Sequence, residues 1–136
     1  MLTMGVLLAL SALSSNEVVT VNAKRDCLPT TQIRSTKVLN DGVVLFELKD
    51  RTVWRNTLKH SCPTLAFEDR FSYRISGTSL CRLDTIRVLR TGAFGLDEGV
   101  GCGLSEFTAE AGSIKDSVAA YKLQQAKAKT EAKSAQ

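Results

Sequence analysis

The strongest constraint on this chain is the arrangement of its four cysteines, Cys27, Cys62, Cys81 and Cys102, behind an apolar N-terminal leader. They are separated by 34, 18 and 20 residues, so the chain has no Cys-x-x-Cys pair of the kind that holds structural zinc. In a short exported chain, four cysteines predict two disulfides rather than a metal site. Three pairings are possible. Disulfides between cysteines that are neighbours in sequence are favoured, which pairs Cys27 with Cys62 and Cys81 with Cys102.

The leader contains an uncharged apolar run over residues 4–13 and a small-residue cleavage pattern that ends at Ala23. This pattern predicts a signal peptide over residues 1–23 and a periplasmic or secreted protein. An apolar run this short does not cross a bilayer core, which takes about twenty residues, so no stable membrane span is expected. The leader lacks a basic residue and carries Glu17. The alternative is therefore a cytoplasmic protein with reduced thiols and a buried N-terminal strand or helix.

The charge of the chain is mildly basic and evenly spread. The formal net charge is +4. It becomes +5 when residues 1–23 are removed, because Glu17 is the only charged residue among them. Basic residues largely alternate with apolar ones, which is typical of a solvated sheet face. One Trp and two Tyr are too few for a surface that stacks bases, so nucleic acid is not an expected partner. An envelope protein or an anionic envelope polymer is the expected partner.

Short apolar and β-branched segments bounded by turn residues predict a mainly β fold, with no helical crossover pattern for a βαβ unit. Asp41-Gly42 is a strong hairpin signal because both residues tolerate a positive φ angle. The expected architecture is a small antiparallel barrel or sandwich of about five to six short strands. Five of them are predicted at residues 33–39, 43–48, 52–58, 70–75 and 84–89.

The segment from Gly92 to Gly103 carries five glycines and is predicted to be a flexible loop that Cys102 attaches to the body. A binding loop is the alternative, because long loops on β scaffolds often carry function. The glycines do not match a dinucleotide-binding fingerprint, since no strand, loop and helix follow in order. No cofactor is expected.

The C-terminal residues differ in composition from the rest of the chain. Ala, Lys, Gln and Ser dominate after Thr108, so the expected division is a β domain over residues 24–108 and a helical or disordered tail over residues 109–136. Ser113 and Asp116 form a capping box, which predicts a helix over about residues 113–130. Its apolar stripe fades after Leu123, so the distal part is expected to be solvated and frayed or disordered.

Few residues are candidates for catalysis. His60 is the only histidine, and in an extended stretch the adjacent acids Glu68 and Asp69 would point to opposite faces. Surface ion pairs with Arg70 or Arg74 are the favoured interpretation of the two acids. The alternative is a small periplasmic enzyme that uses these three residues in a cleft closed by the glycine-rich segment.

The candidate binding residues combine aromatic and arginine side chains, the composition of interface hot spots. They are Trp54, Arg55, Asn56, Tyr73 and Arg74. For Trp54, packing in the core is favoured over a role in binding. The sequence therefore predicts a monomeric, non-catalytic, exported binding or interaction protein of the cell envelope. Inhibition of an envelope hydrolase is one specific form of that prediction.

An ordered series of segments resembles an uncharacterised family of small exported proteobacterial proteins, known only as a domain of unknown function. The segments are Cys27–Thr30, Ile33–Thr36, Trp54–Leu58, Cys62–Leu65, Phe67–Arg74, Leu80–Ile86 and Gly101–Leu104. The resemblance covers about residues 25–107 and implies an envelope protein with a signal peptide. It implies no activity and no catalytic residue. The Ala/Lys-rich tail and the uncharged start of the leader depart from the family pattern.

Overall fold

The computed structural model describes residues 23–75 and 77–135, so the predicted signal peptide lies outside the described residues except for Ala23. The described part is mainly β, as predicted, but it has ten strands rather than five or six. The strands form three antiparallel sheets, and none of these sheets closes into a barrel. The strands are β1 (Lys24–Arg25), β2 (Cys27–Pro29), β3 (Ile33–Asn40), β4 (Val43–Leu48), β5 (Val53–Thr57), β6 (Phe71–Tyr73), β7 (Ser79–Cys81), β8 (Thr85–Gly92), β9 (Gly95–Gly103) and β10 (Phe107–Glu110). The helices are α1 (Leu65–Glu68) and α2 (Ile114–Ser134).

The largest sheet has five strands in the order β1-β10-β5-β4-β3. Its centre is the predicted meander, in which β3, β4 and β5 pair with their neighbours in sequence. The predicted hairpin turn is present between Asn40 and Val43, where the Gly42 N–H donates to Asn40 Oδ1 at 2.7 Å. β10 then pairs with β5, so the boundary expected at residue 108 falls inside a strand of this sheet.

The flexible loop predicted from Gly92 to Gly103 is wrong, because most of that segment is β9, the edge strand of the sheet β6-β8-β9. β8 and β9 form a hairpin that pairs from Thr85 with Gly103 to Gly92 with Gly95. β8 therefore supplies hydrogen-bonding partners along the segment, which the count of glycines alone does not reveal. A Cβ at Gly101 would lie 3.1 Å from Thr85 Cγ2, so glycine permits this close approach.

Two disulfides are present, as predicted, but the favoured pairing was wrong. Cys27 pairs with Cys81, because the two residues stand opposite each other in the two-stranded sheet β2-β7 with 4.0 Å between their Cα atoms. Cys62 pairs with Cys102, which lies on β9. Each bridge therefore joins segments that are distant in sequence and that strand pairing has brought together.

The core lies between one face of the five-stranded sheet and the inner face of β6-β8-β9. Phe46 occupies its centre, with edge-on aromatic contacts to Phe71 at 6.0 Å and to Phe107 at 5.5 Å between ring centroids. The Cys62–Cys102 bridge is part of the same buried cluster. Fully buried aliphatic side chains complete it, namely Leu28, Val44, Leu65, Leu80, Ile86, Val88 and Leu104.

The opposite face of the five-stranded sheet is covered by the start of α2. Leu45 and Val53 are buried although they do not belong to the core cluster. The Ser117 hydroxyl on α2 donates to Glu110 Oε2 on β10 at 3.0 Å, and α2 also contacts β3. The predicted capping box is present, and the helix continues unbroken to Ser134. The first turns of α2 are thus part of the folded domain.

Candidate functional site

The three predicted binding residues on β5 have internal partners. Trp54 is only 8% exposed, and its indole N–H donates to Thr52 Oγ1 at 3.1 Å. Thr52 in turn donates to Asp50 through its hydroxyl and its backbone N–H, and these bonds hold the pKa of Asp50 below its usual value. The Arg25 guanidinium lies 4.9 Å from the centroid of the Trp54 ring. Trp54 is thus a core residue, and the Arg25 guanidinium lies over its ring.

Arg55 and Asn56 connect β5 to neighbouring segments. The Arg55 guanidinium forms an ion pair with Glu110, the same carboxylate that accepts from Ser117. Asn56 is fully buried. Its Nδ2 donates to the Ser105 carbonyl at 2.7 Å, and its Oδ1 accepts from the Ser105 N–H at 3.0 Å. This arrangement satisfies both polar atoms of the amide inside the protein.

Tyr73 and Arg74 lie in a different part of the fold, at the end of β6. Tyr73 is partly buried against the core. Arg74 points to solvent, and its guanidinium lies 3.5 Å from Glu98 on β9. The structure therefore does not bring the five predicted residues onto one surface, and Arg74 is the most exposed of them.

The predicted catalytic candidates also have separate surroundings. Glu68 lies 4.0 Å from Arg70, which is one of the ion pairs expected from the sequence. Asp69 instead pairs with Lys37 on β3 at 2.7 Å, because a left-handed backbone at Asp69 ends α1 and turns the chain there. His60 is exposed in the segment between β5 and α1. The two carboxylates are thus paired with different cations.

A shallow groove of about 330 Å³ lies on the outer face of β6-β8-β9, close to Arg74. Arg74 and Arg87 supply positive charge to the groove, and Asp84 supplies a negative charge. Glu98 already places a carboxylate at this face, since it accepts from the Ser72 hydroxyl at 3.1 Å and lies beside Arg74. The face can therefore hold a carboxylate between a hydroxyl and a guanidinium. The groove is lined by Ser72, Arg74, Leu83, Asp84, Thr85 and Arg87.

Exposed apolar side chains are concentrated on the β8–β9 hairpin and the turn that precedes it. Among the described residues, six large apolar side chains are strongly exposed, and four of them fall between Leu83 and Val100. Phe94 occupies the two-residue turn of the β8–β9 hairpin and is completely exposed. Leu96 follows on β9, and Leu83 lines the groove. We call Leu83, Phe94, Leu96 and Val100 the hairpin surface.

β9 adds an open sheet edge to the hairpin surface. Among the described strands, it pairs only with β8, as the last strand of its sheet. In an antiparallel pair, every second residue of an edge strand points its N–H and C=O away from the neighbouring strand. Sequence reasoning missed this surface because the glycines predicted a loop. The signal that could have found it is the two-residue spacing between Gly92 and Gly95, which is typical of a tight hairpin.

Within residues 23–75 and 77–135, no group of three or more His, Cys, Asp or Glu side chains could hold a metal ion. No helix in this described part is long and apolar enough to span a membrane. No protein-family model matches the chain, and neither a curated protein nor a solved structure does.

Proposed function

We propose that this chain is a non-catalytic binding protein of the cell envelope that holds a protein partner through the hairpin surface. The observation that carries the proposal is the concentration of exposed apolar side chains on one hairpin and the turn beside it. A fully exposed phenylalanine at a two-residue turn contributes nothing to the core, and exposed apolar groups rimmed by polar residues mark interaction sites. Phe94 is the expected central contact.

The chemistry around the hairpin surface favours an extended partner segment with acidic side chains. The open edge of β9 offers backbone donors and acceptors to an added strand, which is a common mode of peptide recognition. Arg74 and Arg87 in the adjacent groove would attract carboxylates of the partner. The partner's carboxylate would then replace that of Glu98 as the acceptor at the Arg74 guanidinium.

Two disulfides and the apolar leader support an exported, periplasmic or secreted location. Disulfides persist in oxidising compartments such as the periplasm, where thiols are not kept reduced. The partner is therefore expected among envelope or extracellular proteins. The enzyme alternative and the hydrolase-inhibitor alternative stay predictions, since no specific contact among the described residues favours either.

The proposal is tested by photo-crosslinking in the native host. A photoreactive amino acid at position 94 is expected to trap a discrete partner, whereas the same group at Lys49, in the exposed turn between β4 and β5, is not. With the purified partner, the double variant Phe94→Ser/Leu96→Ser should weaken binding at least tenfold, a typical loss for hot-spot residues, about 1.4 kcal/mol or more.

The matched control is Leu123→Ser, which removes another strongly exposed apolar side chain, on α2 and away from the hairpin. It should leave the affinity unchanged. Absence of a discrete product at position 94, or equal losses of affinity in the control and the double variant, would overturn the proposal.

A further inference from the structure

The second half of α2 extends away from the domain. Contacts with the five-stranded sheet come from the first two turns, where Ser117 is buried and Ile114, Val118 and Tyr121 are half-buried. Every described residue from Lys122 onward is exposed. At 1.5 Å per residue this leaves about 20 Å of helix in solvent, with no apolar stripe to account for it.

Four lysines align along this helix. Lys115, Lys122, Lys129 and Lys133 are separated by seven, seven and four residues. Because each residue turns an α-helix by about 100°, these spacings place the four side chains within an arc of about 40°. The row is about 27 Å long. We call these four residues the lysine stripe.

The lysine stripe is weakly compensated: the acid beside Lys115 in sequence is Asp116, whose pKa is lowered chiefly by hydrogen bonds from Ser113 and to a smaller extent by Lys115. None of the ion pairs found among the described residues involves a lysine of the stripe. The two acids of α2 lie on other sides of the helix, about 100° from Lys115 for Asp116 and about 160° for Glu131. The Asp116 carboxylate accepts hydrogen bonds from Ser113 in the capping box. A negative helix C-terminus favours lysines in the last turn, but not at positions 115 and 122.

We propose that the lysine stripe is a binding site for a linear polyanion that lies along α2. Lysine ammonium groups act as point charges and accept phosphate or carboxylate, so the spacing along the polymer matters more than the type of anion. A bilayer is not favoured, because helices that lie on membranes carry large apolar side chains opposite the basic ones. Here the one strongly exposed large apolar residue of α2 is Leu123, and the distal helix otherwise carries small or polar residues.

The test measures binding of the full oxidised chain to two linear polyanions, inorganic polyphosphate and polygalacturonate, over a range of salt concentrations. The variant Lys122→Gln/Lys129→Gln/Lys133→Gln removes three charges from the stripe, and glutamine preserves helix propensity. Its affinity at low salt should fall at least tenfold. Its affinity should also depend less steeply on salt. The negative slope of log affinity against log salt should decrease in magnitude by about two, as expected for three lost phosphate contacts.

A second triple variant, Lys49→Gln/Lys59→Gln/Lys127→Gln, serves as the matched control, because it makes the same change in net charge with exposed lysines outside the stripe. Its affinity for the polyanions should stay within about threefold of that of the unmodified chain if the position of the lysines, rather than net charge, determines binding. Equal losses in the two triple variants would overturn the inference. So would no binding to either polymer, or tighter binding to vesicles of anionic phospholipid than to the polymers. The hairpin surface is unchanged in both variants, so this outcome is independent of the proposed function.

Discussion

At the scale of single residues, Asn56 places a polar side chain among the buried residues of the protein. It is fully buried on β5, and both of its polar atoms bond to the backbone of Ser105. Ser105 lies in the short connection between β9 and β10, so this pair fixes the path of the chain from one sheet to the other. A buried amide with satisfied partners specifies one arrangement, because any shift leaves polar groups unpaired.

We expect Asn56→Ala to lower the free energy of unfolding by about 2–3 kcal/mol, since it leaves the Ser105 N–H and C=O without their partner and opens a small cavity. Urea unfolding of the oxidised protein measures this loss. Ser105→Ala is the control, because it removes only the hydroxyl and retains the backbone contacts to Asn56. It should cost less than about 1 kcal/mol. Equal losses in the two variants would show that the amide contacts are not the source of stability.

At the scale of elements, α2 begins at a capping box that makes the start of the helix sensitive to pH. The Ser113 N–H and hydroxyl donate to the Asp116 carboxylate, and these bonds lower the pKa of Asp116. A carboxylate whose pKa is lower in the folded state stabilises that state above the unfolded pKa of about 4. The stabilisation is lost as pH falls through the lower, folded pKa.

Hydrogen exchange of the α2 amides should therefore accelerate relative to the β4 amides when the pH falls below about 4, after correction for intrinsic exchange rates. Asp116→Asn should remove this pH-dependent step, because its side chain does not titrate. Glu131→Gln provides the comparison, since it removes an acid near the other end of the same helix. A step that persists in Asp116→Asn would assign the effect to another group.

At the scale of the whole molecule, the two disulfides differ in their access to solvent. Cys27 is exposed and Cys81 is half-buried in the small sheet β2-β7. Cys62 is fully buried and Cys102 is 8% exposed within the core. Thiol–disulfide exchange requires an attacking thiolate to reach a sulfur atom, so access governs the order of reduction.

Mild reduction of the native protein should open Cys27–Cys81 first. Alkylation followed by mass spectrometry should then find label on Cys27 and Cys81 while Cys62 and Cys102 remain bridged. The paired variants Cys27→Ser/Cys81→Ser and Cys62→Ser/Cys102→Ser extend the comparison. The second pair should be the more destabilising, because it places polar hydroxyls in the core as well as removing a cross-link. Label appearing first on Cys62 and Cys102 would contradict the expected order.

The local pattern of the sequence was sufficient to predict the meander and the start of α2. The strand predicted at residues 43–48 coincides with β4, and the Asp41-Gly42 turn and the Ser113–Asp116 capping box are in the predicted places. These features depend on neighbours in sequence, through turn geometry, β-branched side chains and cap hydrogen bonds. The leader prediction concerns residues outside those that the structure describes.

Features that depend on distant residues were decided by the tertiary structure. β9 is a strand because β8 pairs with it, although its glycines alone indicate a loop. The disulfide pairing follows from the registers of β2 with β7 and of β9 within its sheet. The predicted binding residues on β5 have internal partners, whereas the side chains of the hairpin surface are left exposed by the segments that the structure describes. The sequence by itself thus determined the local elements and the presence of two cross-links. Long-range pairing and burial decided which cysteines join and which side chains reach solvent, because both depend on contacts between segments that are far apart in the chain.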